Sequence, residues 1–153
     1  MEQAMQVFMD YAAAFEQTFV DDDWSRLAQY FAEDAAYVVD GGPLACEISG
    51  RDAIFAGLKK SLDGLDRRVS DRKIEVTEAP EITSKEGGFE LAVGWRVTYE
   101  HGDAPPVGCN GRSVALLRDG VIVSLRDEYT DEDTADLSAW LVEYGAGLDG
   151  SYV

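Results

Sequence analysis

The sequence has no long hydrophobic run. Nowhere in its 153 residues does an apolar stretch approach the length of about 20 that a membrane-spanning helix needs. The first residues, Met1–Met5, also lack the basic region followed by an apolar segment that marks a secretory signal. We therefore expect a cytoplasmic protein with no membrane partner.

Basic residues are scarce. The chain has 13 Lys and Arg against 30 Asp and Glu, which gives a formal net charge of −17 at pH 7. A charge of this sign repels the phosphates of nucleic acids and of anionic lipids. The acidic residues lie in short blocks along the whole chain, which is typical of a solvated surface. Nucleic acid is therefore not an expected partner.

Histidine and cysteine are nearly absent. His101 is the only histidine, and it stands beside Gly102, which suggests a loop. Cys46 and Cys109 lack the spacing of metal ligands, and we interpret both as free thiols. A multi-histidine metal site and a His-Asp dyad therefore have little support, and no metal or other cofactor is expected.

Apolar residues at steps of three and four predict helices before residue 70 and near the C-terminus. The first helix carries Met5, Phe8, Ala12, Phe15 and Phe19, with Tyr11 at the margin of the stripe. A short second helix follows a cap at Asp22 or Asp23, and a third begins near Ser49. A last helix is expected to start at Asp133 or Thr134 and to end near Gly145 and Gly147. The apolar positions of these later helices are Trp24, Leu27, Ala28, Phe31, Ile54, Leu58, Leu62, Leu65, Leu137, Trp140, Leu141 and Tyr144.

Alternation with period two predicts strands over the rest of the chain. A short strand covers residues 36–40, and longer runs begin at Ser70 and cover residues 89–100, 111–118 and 121–130. Asp119-Gly120 between two apolar runs predicts a hairpin that pairs the last two strands. Helices followed by a series of strands indicate one α+β domain over residues 1–153, with helices packed on one face of a curved antiparallel sheet.

Three segments of the sequence stand out: Phe31–Val39, Ile48–Ile54 and Gly120–Tyr129. Together they resemble the nuclear transport factor 2-like superfamily, which includes SnoaL-like cyclases, limonene-epoxide hydrolase and ketosteroid isomerase. The resemblance implies a cone-shaped sheet that encloses a central apolar cavity with the first helix. It also implies a homodimer. Because this fold carries both enzymes and binding modules, the reaction has to be argued from side chains.

The resemblance to limonene-epoxide hydrolase assigns a partial catalytic set. Tyr37, Arg96 and Asp127 match the tyrosine, the arginine and the late aspartate of that pocket, whereas Val39 replaces an asparagine and Thr98 replaces a second aspartate. Strand parity places Arg96 and Thr98 on one face, which we interpret as the cavity face. Three residues of the other face are expected to form an apolar convex surface suited to a dimer interface: Trp95, Val97 and Tyr99.

These residues predict a cofactor-independent enzyme that performs acid–base chemistry on a small, largely apolar molecule. Asp127 would be the base or the acid, Arg96 would tune it, and Tyr37 would donate to a substrate oxygen. Epoxide hydrolysis of the family type needs two carboxylates, and a threonine cannot replace one. A SnoaL-like cyclisation needs only Asp127. The predicted pocket residues are Tyr11, Phe15, Phe19, Trp24, Val39, Thr98, Arg112, Val114, Leu125 and Tyr129.

Other functions remain open. A non-catalytic ligand-binding or dimerisation module is the main alternative, and it is favoured if Phe15, Phe19, Trp24 and Leu125 fill the cavity. A dehydratase-like lyase would need His101 inside the cavity. Steroid isomerisation is not expected, because valines stand at both acid positions of that pocket, Val39 and Val114.

Overall fold

A computed structural model describes residues 1–153. Three α-helices are present, α1 (Glu2–Asp21), α2 (Arg51–Ser61) and α3 (Asp131–Tyr144). Six strands form one sheet: β1 (Phe31–Asp40), β2 (Cys46–Ser49), β3 (Asp71–Lys85), β4 (Gly88–Glu100), β5 (Val107–Arg118) and β6 (Val121–Tyr129). A 3₁₀ helix covers Trp24–Tyr30, and a π-helical turn, Leu62–Asp66, continues α2. No helix combines the length and the apolar content that crossing a bilayer demands.

The sheet is mixed, whereas the sequence predicts an antiparallel one. Its order is β2-β1-β6-β5-β4-β3, and β1 runs parallel to β6 while the other neighbours are antiparallel. Strands joined by a tight turn must be antiparallel, but β1 and β6 are separated by most of the chain. Their relative direction is therefore not set by a turn, and the sequence pattern does not reveal it.

Several element boundaries differ from those predicted. β1 begins at Phe31, five residues earlier than expected, and β2 was not predicted. Gly50, with a φ of 96°, precedes α2, and no side chain caps that helix, so the expected cap at Ser49 is absent. Thr130 caps α3 by accepting a hydrogen bond from the backbone N–H of Asp133, three residues before the predicted start.

The predicted β5–β6 hairpin is confirmed. Asp119 and Gly120 have φ values of 52° and 79°, as a two-residue turn of type I′ requires. β6 contains a bulge at Val123. Leu117 pairs with Ile122 and Leu116 pairs with Ser124, so Val123 has no partner on β5. One extra β6 residue in this interval shifts all later partners by one position.

The buried core has two parts, and residues of both parts line the same concave face of the sheet. One part contains α1, α2 and the strands near β1, and its largest fully buried side chains include Leu27, Phe31 and Ile54. The other lies under α3 and contains Leu65, Trp140 and neighbours from β4 and β5. Between them α1 covers the sheet incompletely and leaves a cavity.

Candidate functional site

The cavity lies between α1 and the concave face of the sheet. Its volume is about 600 Å³, and most of the side chains that line it are apolar or aromatic. Three lining residues, Met9, Ile74 and Val76, are exposed at the surface. They mark a mouth between α1 and the edge strand β3. The cavity is therefore large enough for a small organic molecule and has a route from solvent.

The cavity face of β4 is the opposite of the predicted one. Trp95, Val97 and Tyr99 line the cavity, so they are not the convex dimer surface that the sequence analysis assigned to them. Arg96 and Thr98 alternate with them and point away from the cavity. The Arg96 guanidinium lies over Gly108 on the outer face of the sheet, in space that a Cβ would need. The odd-numbered residues of β4 from Phe89 to Tyr99 are all apolar or aromatic. The hydrophobic effect therefore turns this face of the strand, and not the face of Arg96, toward the interior.

Asp127 lies on the cavity wall and accepts a hydrogen bond on each carboxylate oxygen. The Tyr37 hydroxyl donates to Oδ2 at 2.6 Å, and the Ser113 hydroxyl donates to Oδ1 at 2.6 Å. The indole Nε1 of Trp95 donates to Ser113 Oγ at 2.9 Å. Because an indole can only donate, the Ser113 proton is directed at Asp127. All four side chains thus form one network with Asp127 as its final acceptor.

The β6 bulge decides which residue accompanies Asp127. Without the extra residue the hairpin turn would place Arg112 opposite Asp127, whereas with it the partner is Ser113. Arg112 therefore faces outward and forms an ion pair with Glu128. Ser113 was missed by the sequence analysis, and only the register of this hairpin could have indicated it.

Burial and hydrogen bonding act on Asp127 in opposite directions. Removal from water raises the pKa of the carboxyl above its ordinary value, while the hydrogen bonds from Ser113 and Tyr37 lower it in part. No Lys, Arg or His forms an ion pair with Asp127. The result is a carboxyl group with an upward-shifted pKa that is held by neutral donors and exposed to a cavity. Such a group can both take and return a proton.

A second polar group lies in the same cavity and was not predicted. Asp66 Oδ2 accepts a hydrogen bond from Arg72 Nε at 2.7 Å and from the Tyr99 hydroxyl at 3.3 Å. Arg72 also binds both carboxylate oxygens of Glu16, at 2.9 and 3.4 Å. Burial raises the pKa of Asp66, and Arg72 and Tyr99 oppose this shift. We call these four residues the Arg72 cluster.

The C-terminal segment contributes a further unpredicted residue, Tyr152. The backbone N–H of Asp149 donates to Gly64 O at 2.9 Å, and the Ser61 hydroxyl donates to Gly150 O at 2.6 Å. These bonds fold the segment back over the end of α2. Tyr152 consequently lines the cavity, with its ring centroid 5.7 Å from that of Tyr37.

Comparison with known proteins places the chain in a family. The SnoaL-like domain family matches residues 11–125, which is most of the sequence. The chain belongs to the SnoaL-like domain family. No curated protein matches the sequence.

Solved structures similar to this SnoaL-like domain share its fold at low sequence identity. An NTF2-like protein from Burkholderia xenovorans is 19% identical with a TM-score of 0.61, and the alignment covers 88% of this chain and 95% of that one. A candidate polyketide cyclase from Xanthomonas campestris is 18% identical, with a TM-score of 0.57 and coverage of 92% and 96%. An epoxide hydrolase from M. tuberculosis, similar to limonene-epoxide hydrolase, is 16% identical, with a TM-score of 0.56 and coverage of 94% and 93%.

Four of the predicted pocket residues line the cavity of the SnoaL-like domain: Tyr11, Phe15, Leu125 and Tyr129. Phe19 does not, because its ring stacks on Arg72, whose Cζ lies 4.6 Å from the ring centroid. Trp24 also lies outside and packs against Phe15 and Phe55. Val39 is buried in the core beside Asp127 in the β1–β6 register. Thr98, Arg112 and Val114 point to the outer face of the sheet.

His101 does not enter the cavity. Its ring packs edge-on against Trp140, 6.3 Å between centroids, and its buried Nδ1 has no hydrogen-bond partner. The requirement of a dehydratase-like lyase for a histidine in the cavity is therefore not met.

The cysteines remain unpaired, and neither has the properties of a nucleophile. Cys109 lines the cavity, but burial raises the pKa of its thiol to about 11, so it stays protonated near neutral pH. No group of three or more His, Cys, Asp or Glu residues is arranged to hold a metal ion.

Proposed function

We propose that this SnoaL-like domain is a cofactor-independent enzyme that performs acid–base chemistry on a small, largely apolar molecule, and that its reaction is an intramolecular cyclisation. The observation that carries the proposal is the environment of Asp127. One carboxyl group with an upward-shifted pKa faces an apolar cavity, and neutral donors alone hold it in position. A carboxyl group of this kind is suited to taking up and returning a proton during a reaction.

The cavity itself favours an enzyme over a dimerisation module. Phe19 and Trp24, which could have filled it, pack elsewhere, and the space of about 600 Å³ remains. Placing a carboxylate without a cationic partner on an apolar wall costs free energy of folding. A module that only dimerises has no use for that arrangement.

A single carboxylate can complete a ring closure without net proton uptake. Asp127 takes a proton from a carbon next to a substrate carbonyl, and this carbon attacks a second carbonyl carbon of the same molecule. The new carbon–carbon bond converts the second carbonyl oxygen into an alkoxide. Protonated Asp127 then returns its proton to that oxygen. Tyr37 and Ser113 keep the carboxyl oriented through both transfers, and the cavity walls fold the substrate.

Epoxide hydrolysis is the second candidate, and one observation favours it. Asp66 and Glu16 both bind Arg72 within the same cavity, so a carboxylate–arginine–carboxylate set is present, although at different positions from those the sequence suggested. Arg96 and Thr98 cannot contribute to it from the outer face. Ring opening would add water across the epoxide, and the product would be a diol.

Turnover by the native protein and by Asp127→Asn tests the proposal. The substrates are a panel of polyketide-like poly-carbonyl compounds and of terpenoid and aryl epoxides. Asp40→Asn is the matched control, because Asp40 is an exposed carboxylate that pairs with Arg126 outside the cavity. We expect Asp127→Asn to lose at least about 100-fold in kcat/KM and the control to keep native activity.

The products separate the candidates. A cyclic product supports the cyclase, whereas a diol supports the hydrolase. Equal turnover by the native protein and Asp127→Asn contradicts acid–base catalysis at Asp127. If no member of the panel is converted, the non-catalytic binding module is the better description.

A further inference from the structure

The Arg72 cluster is not used by proton transfer at Asp127, yet it lines the same cavity. Its four residues come from four separate elements: Glu16 from α1, Asp66 from the π-helical turn, Arg72 from β3 and Tyr99 from β4. The Arg72 and Asp66 side chains are only 8% and 10% exposed.

The charge of the cluster favours a neutral partner. Arg72 is the only Lys or Arg that lines the cavity, and it already binds the carboxylates of Asp66 and Glu16. Two carboxylates and one guanidinium leave a formal charge of −1, which disfavours an anion such as a carboxylate or phosphate. A hydroxyl or carbonyl group carries no such penalty.

The cluster retains hydrogen-bonding capacity. A guanidinium has five N–H groups, and the contacts to Asp66 and Glu16 use three. The Tyr99 hydroxyl donates to Asp66, so its oxygen can still accept. An oxygen that both accepts and donates, as in a hydroxyl group, can therefore be bound here.

The cluster is separated from Asp127 along the cavity. Tyr99 stands four residues beyond Trp95 on β4, which is about 13 Å along an extended strand. Trp95 belongs to the Asp127 network through Ser113. Tyr152 lines the same cavity, and its ring centroid lies 5.7 Å from that of Tyr37, which also belongs to the Asp127 network. An apolar and aromatic wall therefore connects two polar ends.

We propose that Asp66, Arg72 and Tyr99 form a second binding site for a neutral oxygen function, so that the ligand is an elongated, uncharged, apolar molecule with an oxygen group at each end. One end is bound next to Asp127 and the other at the Arg72 cluster. This inference deepens the proposed function and relies on the cavity being the ligand site. It names a class of ligand rather than a reaction.

Binding of matched phenols tests the proposal. The probes are p,p′-biphenol and its longer homologue p,p′-dihydroxystilbene, each compared with the same molecule carrying one hydroxyl, and p′-hydroxybiphenyl-p-carboxylate. Dissociation constants are measured by calorimetry on the whole 153-residue chain. We expect at least one diol to bind about tenfold more tightly than its mono-ol, as one added hydrogen bond would produce. The carboxylate is expected to bind more weakly than the mono-ol.

Variants test whether the second hydroxyl of the diol is bound by the Arg72 cluster. Tyr99→Phe removes the hydroxyl that accepts from the ligand and should reduce the preference for the diol to about one. Tyr144→Phe is the matched control, since it removes a tyrosine hydroxyl outside the cavity and should keep the preference. Asp66→Asn is a second variant at the cluster, and thermal unfolding of each variant confirms that it is folded.

The result that overturns the proposal is an equal affinity of diol and mono-ol at both lengths, or no binding of any probe. The Arg72 cluster would then be only a structural ion pair that joins α1, β3 and the π-helical turn. A preference for the diol that persists in Asp127→Asn supports the second binding site even if no turnover is found. The binding test can thus succeed where the catalytic proposal fails, and the two failures can be told apart.

Discussion

Tyr37 donates a 2.6 Å hydrogen bond to Asp127, although the two residues are 90 positions apart in the sequence. β1 and β6 are neighbours in the sheet, and their parallel register sets Tyr37 beside Leu125, one pleat from Asp127. The bond stabilises the carboxylate form of Asp127 relative to the protonated form. Tyr37 is therefore a group that tunes the acid–base properties of Asp127.

Removing this bond should change the pH dependence of activity. In Tyr37→Phe the carboxylate loses a donor that lowers its pKa, so the pKa of Asp127 should rise further above its ordinary value. The limb of the kcat/KM profile that reports ionisation of Asp127 should move to higher pH. Ser113→Ala removes the donor to the other oxygen and should shift the limb in the same direction. An unchanged profile in both variants would contradict the network as the controlling feature.

The pKa of Asp127 also predicts a pH-dependent stability. Since burial raises the pKa of Asp127 in the folded state above the ordinary value of 3.8, the folded protein binds this proton more tightly than the unfolded chain does. The contribution of Asp127 to the free energy of unfolding is thus favourable at low pH and falls as pH rises from about 4 through the folded-state pKa.

Asp127→Asn removes this titration. We expect the Tm of Asp127→Asn minus that of the native protein to become more positive as pH rises from about 4 to about 7. Thermal unfolding in a series of buffers measures the difference, and Asp34→Asn, at an exposed position on β1, is the control. A difference that does not vary with pH would show that burial does not shift the pKa of Asp127.

The orientation of β4 predicts the behaviour of Arg96. Because its guanidinium lies over Gly108 on the outer face, Arg96→Ala should leave kcat/KM within about twofold of the native value. A general acid–base group or its orienting partner would cost about 100-fold or more. A steady-state assay with any converted substrate decides the matter, and a large loss would mean that Arg96 reaches the cavity.

Gly64 is predicted to be essential for the position of Tyr152. A Cβ at Gly64 would collide with the carbonyl oxygen of Asp149, so Gly64→Ala should displace the C-terminal segment and lower stability by about 1–3 kcal/mol. Loss of the Tyr152 contact should also weaken binding of the phenol probes.

Gly102→Ala is the matched control for this change. A Cβ at Gly102 meets no atom within 4 Å, although its φ of 54° makes an alanine strained by about 1 kcal/mol. Chemical denaturation of both variants gives the comparison. Equal stability losses, with probe binding intact in Gly64→Ala, would show that the Asp149 contact does not hold the segment.

The sequence predicted the elements that depend on local patterns. Steps of three and four residues indicated α1, α2 and α3, and Asp119-Gly120 indicated the β5–β6 hairpin, because side-chain periodicity and turn conformation are local properties. The resemblance to the superfamily predicted an apolar cavity with Tyr37 and Asp127 in it. Local patterns did not reveal that β1 lies parallel to β6, since no turn joins them.

The prediction that Arg96 and Thr98 face the cavity was wrong, because it relied on the alignment with the family. Arg96 was matched to a family arginine, whereas the alternation of Leu91, Val93 and Trp95 with smaller or polar residues already indicated which face is buried. A shift by one residue moves every side chain to the opposite face of a strand. Alternation alone would have been the better guide here.

By itself the sequence determined that this chain builds an acidic α+β domain with a carboxylate at position 127 on a half-buried strand. Only the tertiary structure decided which groups meet that carboxylate. The β6 bulge selects Ser113 over Arg112, and the returning C-terminal segment brings Tyr152 into the cavity. The Arg72 cluster likewise joins residues from four elements. Contacts between residues far apart in the chain depend on strand register and on packing, and neither leaves a local pattern in the sequence.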